Sequence, residues 1–475
     1  MMRLALFAPL SPVRSALVDI VEGLLPYLAQ HVDITVVTDG TYRPTHPLFQ
    51  ANSGLCIPWI SYTEFQQRAI QFDSILYQLG DEPTIHGYMF DALHRYPGIV
   101  SLHDLVLHHA LAVLTLGRGD RDAYIAEMRY NYGEEGERLA QEVMAGHGEE
   151  IMTRYPLVQR VLDDSLGIIA YNNYMCAQVQ ALQPDIPARY IPLQFHLPEG
   201  FASHSDGAAF RRQLGLEGRP VVASFGMFTS QKRMDLAFRA FKRLLRRHPT
   251  ALYLLVGVSD QNLETQLGLL EIGDKVRQTG WQSPASFAKY MLVTDLAVQL
   301  RYPHVGGTPY TPIRLLGLGV PTIISDIEPL AELPSDTVVR ITPNQPDEEA
   351  LLFAAMDYLL TRRDVAHTLA QNGQRYVQQH HSVTTIAERY ADFIQEVASQ
   401  HEPLVTRVRQ RKLAATKKFA TASAVTASAT SHGELVRIAG AALAEIGVLP
   451  GQSHLLEPIV SAIHELSTLK HSRRS

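Results

Sequence analysis

What most limits the fold of this chain is a unit that recurs along it: a short apolar run, a stretch with apolar residues on one helical face, then another apolar run. Leu4 to Ala8 reads as a buried strand, Leu17, Ile20, Val21, Leu24, Leu25 and Leu28 share one helix face, and Ile34 to Thr38 is the next strand. Such a βαβ unit builds a parallel sheet covered by helices. Further strands are expected at Ser74–Leu79, Gly98–Leu102, Leu166–Ala170 and Tyr190–Leu193, with a helical insertion over about 110–163. The small, polar FASHSDGAAF then reads as a linker. A second series follows it: strands at Val221–Phe225, Leu252–Val256, Val276–Thr279 and Leu292–Leu300, and a helix over Met234–His248 with Leu236, Ala240, Phe241 and Leu244 on one face. Two doubly wound α/β domains facing across a cleft are therefore expected, residues 1–200 and 208–381.

The loop after the first strand, Pro9 to Ser15, has no glycine, so it is not a G-x-G-x-x-G fingerprint and argues against an NAD or FAD enzyme. A net charge of -6 gives no reason to expect nucleic acid as a partner. Two cysteines in 475 residues make no disulfide framework and fit a reducing cytosol. The first apolar run ends at Pro9, short of a signal peptide's core, and no window has the roughly 18 apolar residues of a membrane span.

Chemistry concentrates in three places. RYPHVGGTPYTPIRLLGLGVPTIISD, residues 301–326, reads as a strand end, a Gly/Pro loop, a helix from near Pro312 and a second strand. Its Gly306-Gly307-Thr308 can bring bare N–H groups to a helix start, which favours an anion such as phosphate. Lys232 lies in a strand-to-helix loop, where a lysine serves as a point charge for phosphate or is merely solvated. His103 and Asp104 follow a strand directly, at the sheet edge where ligands usually sit; the histidine serves there as a proton acceptor or as a helix cap. His108 and His109 follow at helical spacing, and the pairs His103/His108 and Asp104/His108 invite a metal reading, but no three- or four-ligand pattern accompanies them.

Taken together, FAPLSPVRS near the start, YQLGDEPTIHGYMFDALHRYPGIVSLHDLVLHH at 77–109, SFGMFTSQKRMDLAFRAF at 224–241, LYLLVG at 252–257 and LRYPHVGGTPYTPIRLLGLGVPTIISD at 300–326 resemble retaining glycosyltransferases of family 4. These are group 1 glycosyltransferases of GT-B fold, and the subgroup resembled carries PGIVxLHD, LRYPxxGETSG and GxPxIxSD. The resemblance covers about residues 1–395. It implies His103 as the catalytic histidine beside the transferred sugar, and Lys232, Gly306, Gly307, Thr308 and Arg314 on the donor side. Ser15, Asp104, Tyr171 and Asn172 fall on the acceptor side. It further implies a nucleotide-diphosphate sugar as donor substrate, no bound metal or other cofactor, and a glycan, lipid-linked or small hydroxyl acceptor.

The departures are specific. The family's E-x7-E pair falls on Gly306 and Arg314, and in the GETSG variant the glutamate falls on Gly307. The arginine that often follows the glycine of the lysine loop is Met227, the first-loop glycine is Ala16, and a His-Ser pair is Tyr171-Asn172. The expected function is hexosyl transfer with retention. The alternatives are a catalytically degenerate member that binds nucleotide-sugar or glycan, or scaffolds an active partner, and a nucleotide-sugar epimerase on the same fold. Residues 382–399 should form a closing helix, 400–432 a basic then Ala/Ser/Thr-rich flexible linker, and 433–475 a short helical tail. Location is expected to be cytoplasmic, with the basic run either a solvated connector or a contact to a protein or membrane surface.

Overall fold

The computed structural model describes residues 1–50, 54–198, 201, 205–260 and 262–426. The first half forms a seven-stranded parallel sheet from β1 (Arg3–Phe7), β2 (Asp33–Thr38), β3 (Trp59–Ser61), β4 (Ser74–Leu79), β5 (Ile99–Leu102), β6 (Gly167–Ala170) and β7 (Ala188–Tyr190). Their order is β3-β2-β1-β4-β5-β6-β7. The second half forms a six-stranded parallel sheet from β8 (Val221–Phe225), β9 (Leu252–Val256), β10 (Val276–Gln278), β11 (Leu296–Gln299), β12 (Thr322–Ser325) and β13 (Val339–Ile341), ordered β10-β9-β8-β11-β12-β13. This is the expected architecture: two doubly wound, Rossmann-like sheets with helices on their faces.

Both sheets reverse direction beside their first strand. The chain winds β1 to β3 on one side and then crosses to β4, and winds β8 to β10 before crossing to β11. Each reversal parts the two loops that flank it at the strands' carboxyl ends, leaving a crevice where ligands bind. In the second sheet those loops are 226–233 and 300–309, the two already singled out by sequence.

Central strands were anticipated because they are buried end to end: Val221 to Phe225 and Leu252 to Val256 are buried without exception. Edge strands carry no such signal. β3 and β13 are three residues each and only partly buried, and neither was anticipated. β7 ends at Tyr190, where a strand was expected to begin; Ile191 and Leu193 are buried, but pairing finishes at the Ile191 N–H to Ala170 O bond. The expected strand from Leu292 is shortened because the helix Pro284–Leu292 runs into it.

The halves share a core. Leu17, Ile20 and Leu193 of the first half sit in one buried cluster with Tyr310, Ile313, Leu316 and Ile324 of the second. The helix Val383–Ser399 returns to the first half and packs on the helix Ala16–Leu28. It buries Tyr390, Phe393, Ile394 and Val397 there.

The region expected as a flexible linker is different. Residues 401–426 form a helix, His401–Thr426, with Leu404 and Val408 buried. Two of its basic residues are anchored rather than solvated: Arg411 donates to Leu162 O at 2.7 Å and Ser165 O at 2.9 Å, and Lys412 pairs with Asp164 at 3.2 Å. An apolar residue every fourth position and basic stems that find carbonyl acceptors convert a polar-looking run into a docked helix. The rest of the expected linker and the tail 433–475 lie outside the described residues. No helix among the described residues is long and apolar enough to cross a membrane.

Candidate active site

The lysine loop starts at Gly226, whose φ of +110° suits glycine, and its N–H donates to Val256 O at 3.0 Å. Gly257 lies directly against it, since a β-carbon at 257 would run into Gly226 O. The short turn Ser230–Lys232 then lifts the chain onto the helix Met234–Leu244 through Arg233, itself left-handed at φ +51° and paired with Glu348 at 2.9 Å. This folds the Lys232 ammonium back over the sheet end, its Nζ 3.8 Å from the place of a β-carbon on Gly226. Burial, with Arg301 adding repulsion, lowers the Lys232 pKa to about 7.

The second loop is tied to the first. Arg301 donates its N–H to Ser325 Oγ at 2.9 Å, and Tyr302 N–H reaches Gln231 O at 2.8 Å. The Arg301 guanidinium is held below its ordinary pKa by burial, opposed by Asp104. Asp104, in turn, is pushed up by burial, against the Asp81 N–H and Arg301. Asp81 is raised to about 8, by burial first and by Asp104 as a further cause, although Ala110 N–H donates to it at 2.9 Å. Arg301 of the second half and Asp104 of the first thus act on each other across the crevice, with Lys232 beside the arginine and Asp81 beside the aspartate.

Gly306, Gly307 and Thr308 precede the helix Tyr310–Gly317, which starts two residues before the expected Pro312. Their surroundings are protein. Val305 O accepts from both Leu105 N and Val106 N at 3.0 Å. A β-carbon on Gly306 would meet Leu105 Cβ at 2.5 Å, and one on Gly307 would run into His103 O and lie 2.7 Å from Asp104 Oδ1. Asn172 Nδ2 donates to Gly306 O at 3.0 Å and to Thr308 Oγ1 at 2.9 Å, and Thr308 Oγ1 donates to Tyr171 O at 3.0 Å. Tyr171 and Asn172, expected on the acceptor side, therefore clasp the glycine loop, and the Thr308 hydroxyl is already in use.

His103 is turned inward. Its Nε2 lies 2.7 Å from Gln78 Oε1 and 3.3 Å from the Tyr171 hydroxyl, which itself meets Tyr390 at 2.7 Å. Because an amide oxygen only accepts, Nε2 carries the hydrogen and Nδ1 is the bare acceptor. Burial, with His86 adding to it, holds the His103 pKa at about 3, so the ring is neutral at physiological pH.

Two expected site residues have other partners. Arg314 is buried, pairs with Asp19 at 3.1 Å and donates to Pro284 O at 3.3 Å. Its guanidinium also lies 5.4 Å from the Phe287 ring centre and 5.7 Å from that of Tyr310, so it latches the halves together. Ser15 caps the helix Ala16–Leu28 by accepting from Leu17 N–H at 3.2 Å. Beside it Arg14 sits 4.4 Å over Trp281, a second link between the halves. His108 is not a ligand candidate: one ring nitrogen meets Tyr155 O at 2.8 Å and the other the Tyr124 hydroxyl at 2.6 Å. Among the described residues no three His, Cys, Asp or Glu converge as a metal site. Sequence reasoning passed over Arg301, Asp81 and Gln78; an arginine directly beyond an apolar strand, on the edge that carries Lys232, was the available signal. A polar cavity of about 700 Å³, lined by Ser230, Asp235, Asn262, Thr265 and Gln266, opens beside the lysine turn.

Comparison with known proteins decides what this geometry is akin to. Residues 206–376 match the family model of glycosyl transferases group 1. That span is the second sheet, and it carries both Lys232 and the glycine loop. The two sheets with their helices have the GT-B fold. Anabaena HepE, solved with UDP and glucose, shares 16% identity at a TM-score of 0.59, over 83% of this chain and 100% of its own. Sucrose-phosphate synthase from Thermosynechococcus elongatus shares 17% at 0.58, over 84% and 100%. WaaG, a glycosyltransferase involved in lipopolysaccharide biosynthesis, shares 13% at 0.56, over 82% and 99%. No curated protein sequence matches this chain. The group 1 match to the second sheet and the GT-B fold agree with each other.

Proposed function

We propose that this chain transfers a hexosyl group from a nucleotide-diphosphate sugar to a hydroxyl acceptor with retention at the anomeric carbon. The observation that carries the reading is that Lys232 and the Gly306–Thr308 loop arise from the two strands flanking the reversal of the second sheet. HepE, of the same fold, has been solved with UDP and with UDP-glucose. In this reading residues 1–200 form the acceptor domain and 208–381 the donor domain, in a cytoplasmic protein. The acceptor is a glycan, a lipid-linked sugar or a small alcohol.

Lys232 supplies positive charge to the departing diphosphate, so the family's metal-free chemistry suits this site. The anomeric carbon–oxygen bond to phosphate breaks, the acceptor oxygen bonds on the same face, and its proton passes to the released phosphate oxygen. Neutral His103, fixed by Gln78 and Tyr171, contributes position rather than charge. Proton NMR of the sugar released from UDP- or GDP-hexoses tests this. Transfer with retention yields the donor's anomer first, and the opposite anomer would contradict it.

A second reading, a binder that does not transfer, is favoured by one observation: no carboxylate stands at 306–308, and the loop packs directly on His103 and Leu105. Binding of a nucleoside diphosphate without donor turnover, unchanged in His103→Ala, would select that reading.

A further inference from the structure

Among the cationic side chains of the lysine turn, the loop after β11 and the helix that follows it, Lys232 and Arg301 differ from Arg233 and Arg314. Arg233 has Glu348 at 2.9 Å and Arg314 has Asp19 at 3.1 Å, but neither Lys232 nor Arg301 forms a salt bridge among the described residues. Arg301 Nε is buried and has no hydrogen-bond acceptor. Buried donors are nearly always satisfied, so an open one beside a second unpaired cation asks for an absent anion. Backbone geometry holds the two together: Tyr302 N–H to Gln231 O joins the arginine strand end to the lysine turn, and Ser325 Oγ fixes the Arg301 N–H. Among the described residues the carboxylate facing Arg301 is Asp104, whose Oδ2 already accepts from Asp81 N–H at 3.1 Å. Met227, where the resemblance expects an arginine, is 59% exposed and brings no charge.

We propose that Arg301 is the second cation of the diphosphate site, gripping together with Lys232 the phosphates of a nucleoside diphosphate. It replaces from the β11 end the charge that Met227 lacks. This rests on the nucleotide-sugar reading above and adds to it a residue that the lysine loop alone would not reveal. A planar guanidinium gives the site a directed two-donor contact, where Lys232 gives a point charge.

Calorimetric titration of the full chain with UDP, GDP, their monophosphates and free nucleosides tests the assignment. Arg301→Gln is expected to weaken the preferred diphosphate about tenfold or more while leaving the nucleoside within about twofold. Arg301→Lys, which keeps charge and stem, should fall between and guards against a folding defect in the glutamine variant. Diphosphate binding equal to wild type in both variants, with Lys232→Met still impaired, overturns the role of Arg301 and leaves the transfer reading standing. A wild-type protein that binds neither UDP nor GDP overturns both.

Discussion

Gly307 packs its α-carbon against the His103 carbonyl so closely that any β-carbon at 307 would run into that oxygen and approach Asp104 Oδ1 to 2.7 Å. This contact explains the missing glutamate better than chance drift does: at this approach of the two halves, position 307 has room for glycine alone. The carboxylate nearest that place is Asp104, contributed by the opposite half. Gly307→Ala should therefore push the halves apart and cost about 1–3 kcal/mol of stability, read as a lower midpoint in urea unfolding. Gly268, whose β-carbon would meet nothing, is the control: Gly268→Ala should not lower stability.

Lys232 sets a pH dependence for ligand binding. The free-state pKa is about 7, and an anion binds the ammonium form. Diphosphate affinity should be flat below about pH 7 and fall as pH rises above it, with proton uptake on binding near and above neutrality. Titration in buffers of different ionisation enthalpy measures that uptake, and affinity independent of pH between 6 and 9 would contradict it.

The same shift acts on folding. Between about 7 and the unfolded value of 10.5 the unfolded chain binds the extra proton, so this group's contribution to stability improves as pH rises through that window. Lys232→Met removes the penalty. It should stabilise the protein most at or below neutral pH, and progressively less toward pH 10.

Asp19 and Arg314 make an interdomain pair in which burial raises the carboxyl and the arginine opposes that rise. Removing one partner strands a largely buried charge, so Arg314→Met should destabilise by about 2–3 kcal/mol, with partial recovery in the double variant Asp19→Asn, Arg314→Met. Because Arg314 is a latch, its loss should change diphosphate affinity far less than loss of Lys232. Chemical denaturation and titration on the same samples separate the two effects.

His103 should not titrate in the working range. With a pKa near 3 it stays neutral, and the pH–rate profile of any turnover should show no step near 6.5. Gln78→Leu frees Nε2 from its acceptor and should reduce turnover through lost orientation, while leaving diphosphate affinity as in wild type.

Much of this was legible in the sequence because central parallel strands are uniformly apolar and their carboxyl ends carry the polar residues. Lys232, His103 and the glycine loop stood out for that reason. What escaped has physical causes. Edge strands β3 and β13 are too short and exposed to give a hydrophobic signal. Arg314 and Asn172 have polar side chains whose partners lie far off in sequence, at Asp19 and at Gly306 and Thr308, so spacing could not assign them to the closure between halves. Residues 401–412 looked like a solvated basic run, because a helix docked by one apolar residue per turn and by arginine-to-carbonyl bonds has little hydrophobic pattern.

The central claim is that the crevice activates a nucleotide-diphosphate sugar through Lys232, and water suffices as acceptor to test it. Phosphorus NMR of UDP- and GDP-hexoses incubated with the full chain should show one of them slowly converted to nucleoside diphosphate. Lys232→Met should slow that conversion about 10²-fold or more. Conversion at the same rate in wild type and Lys232→Met, or none with either donor while the diphosphate still binds, would contradict it.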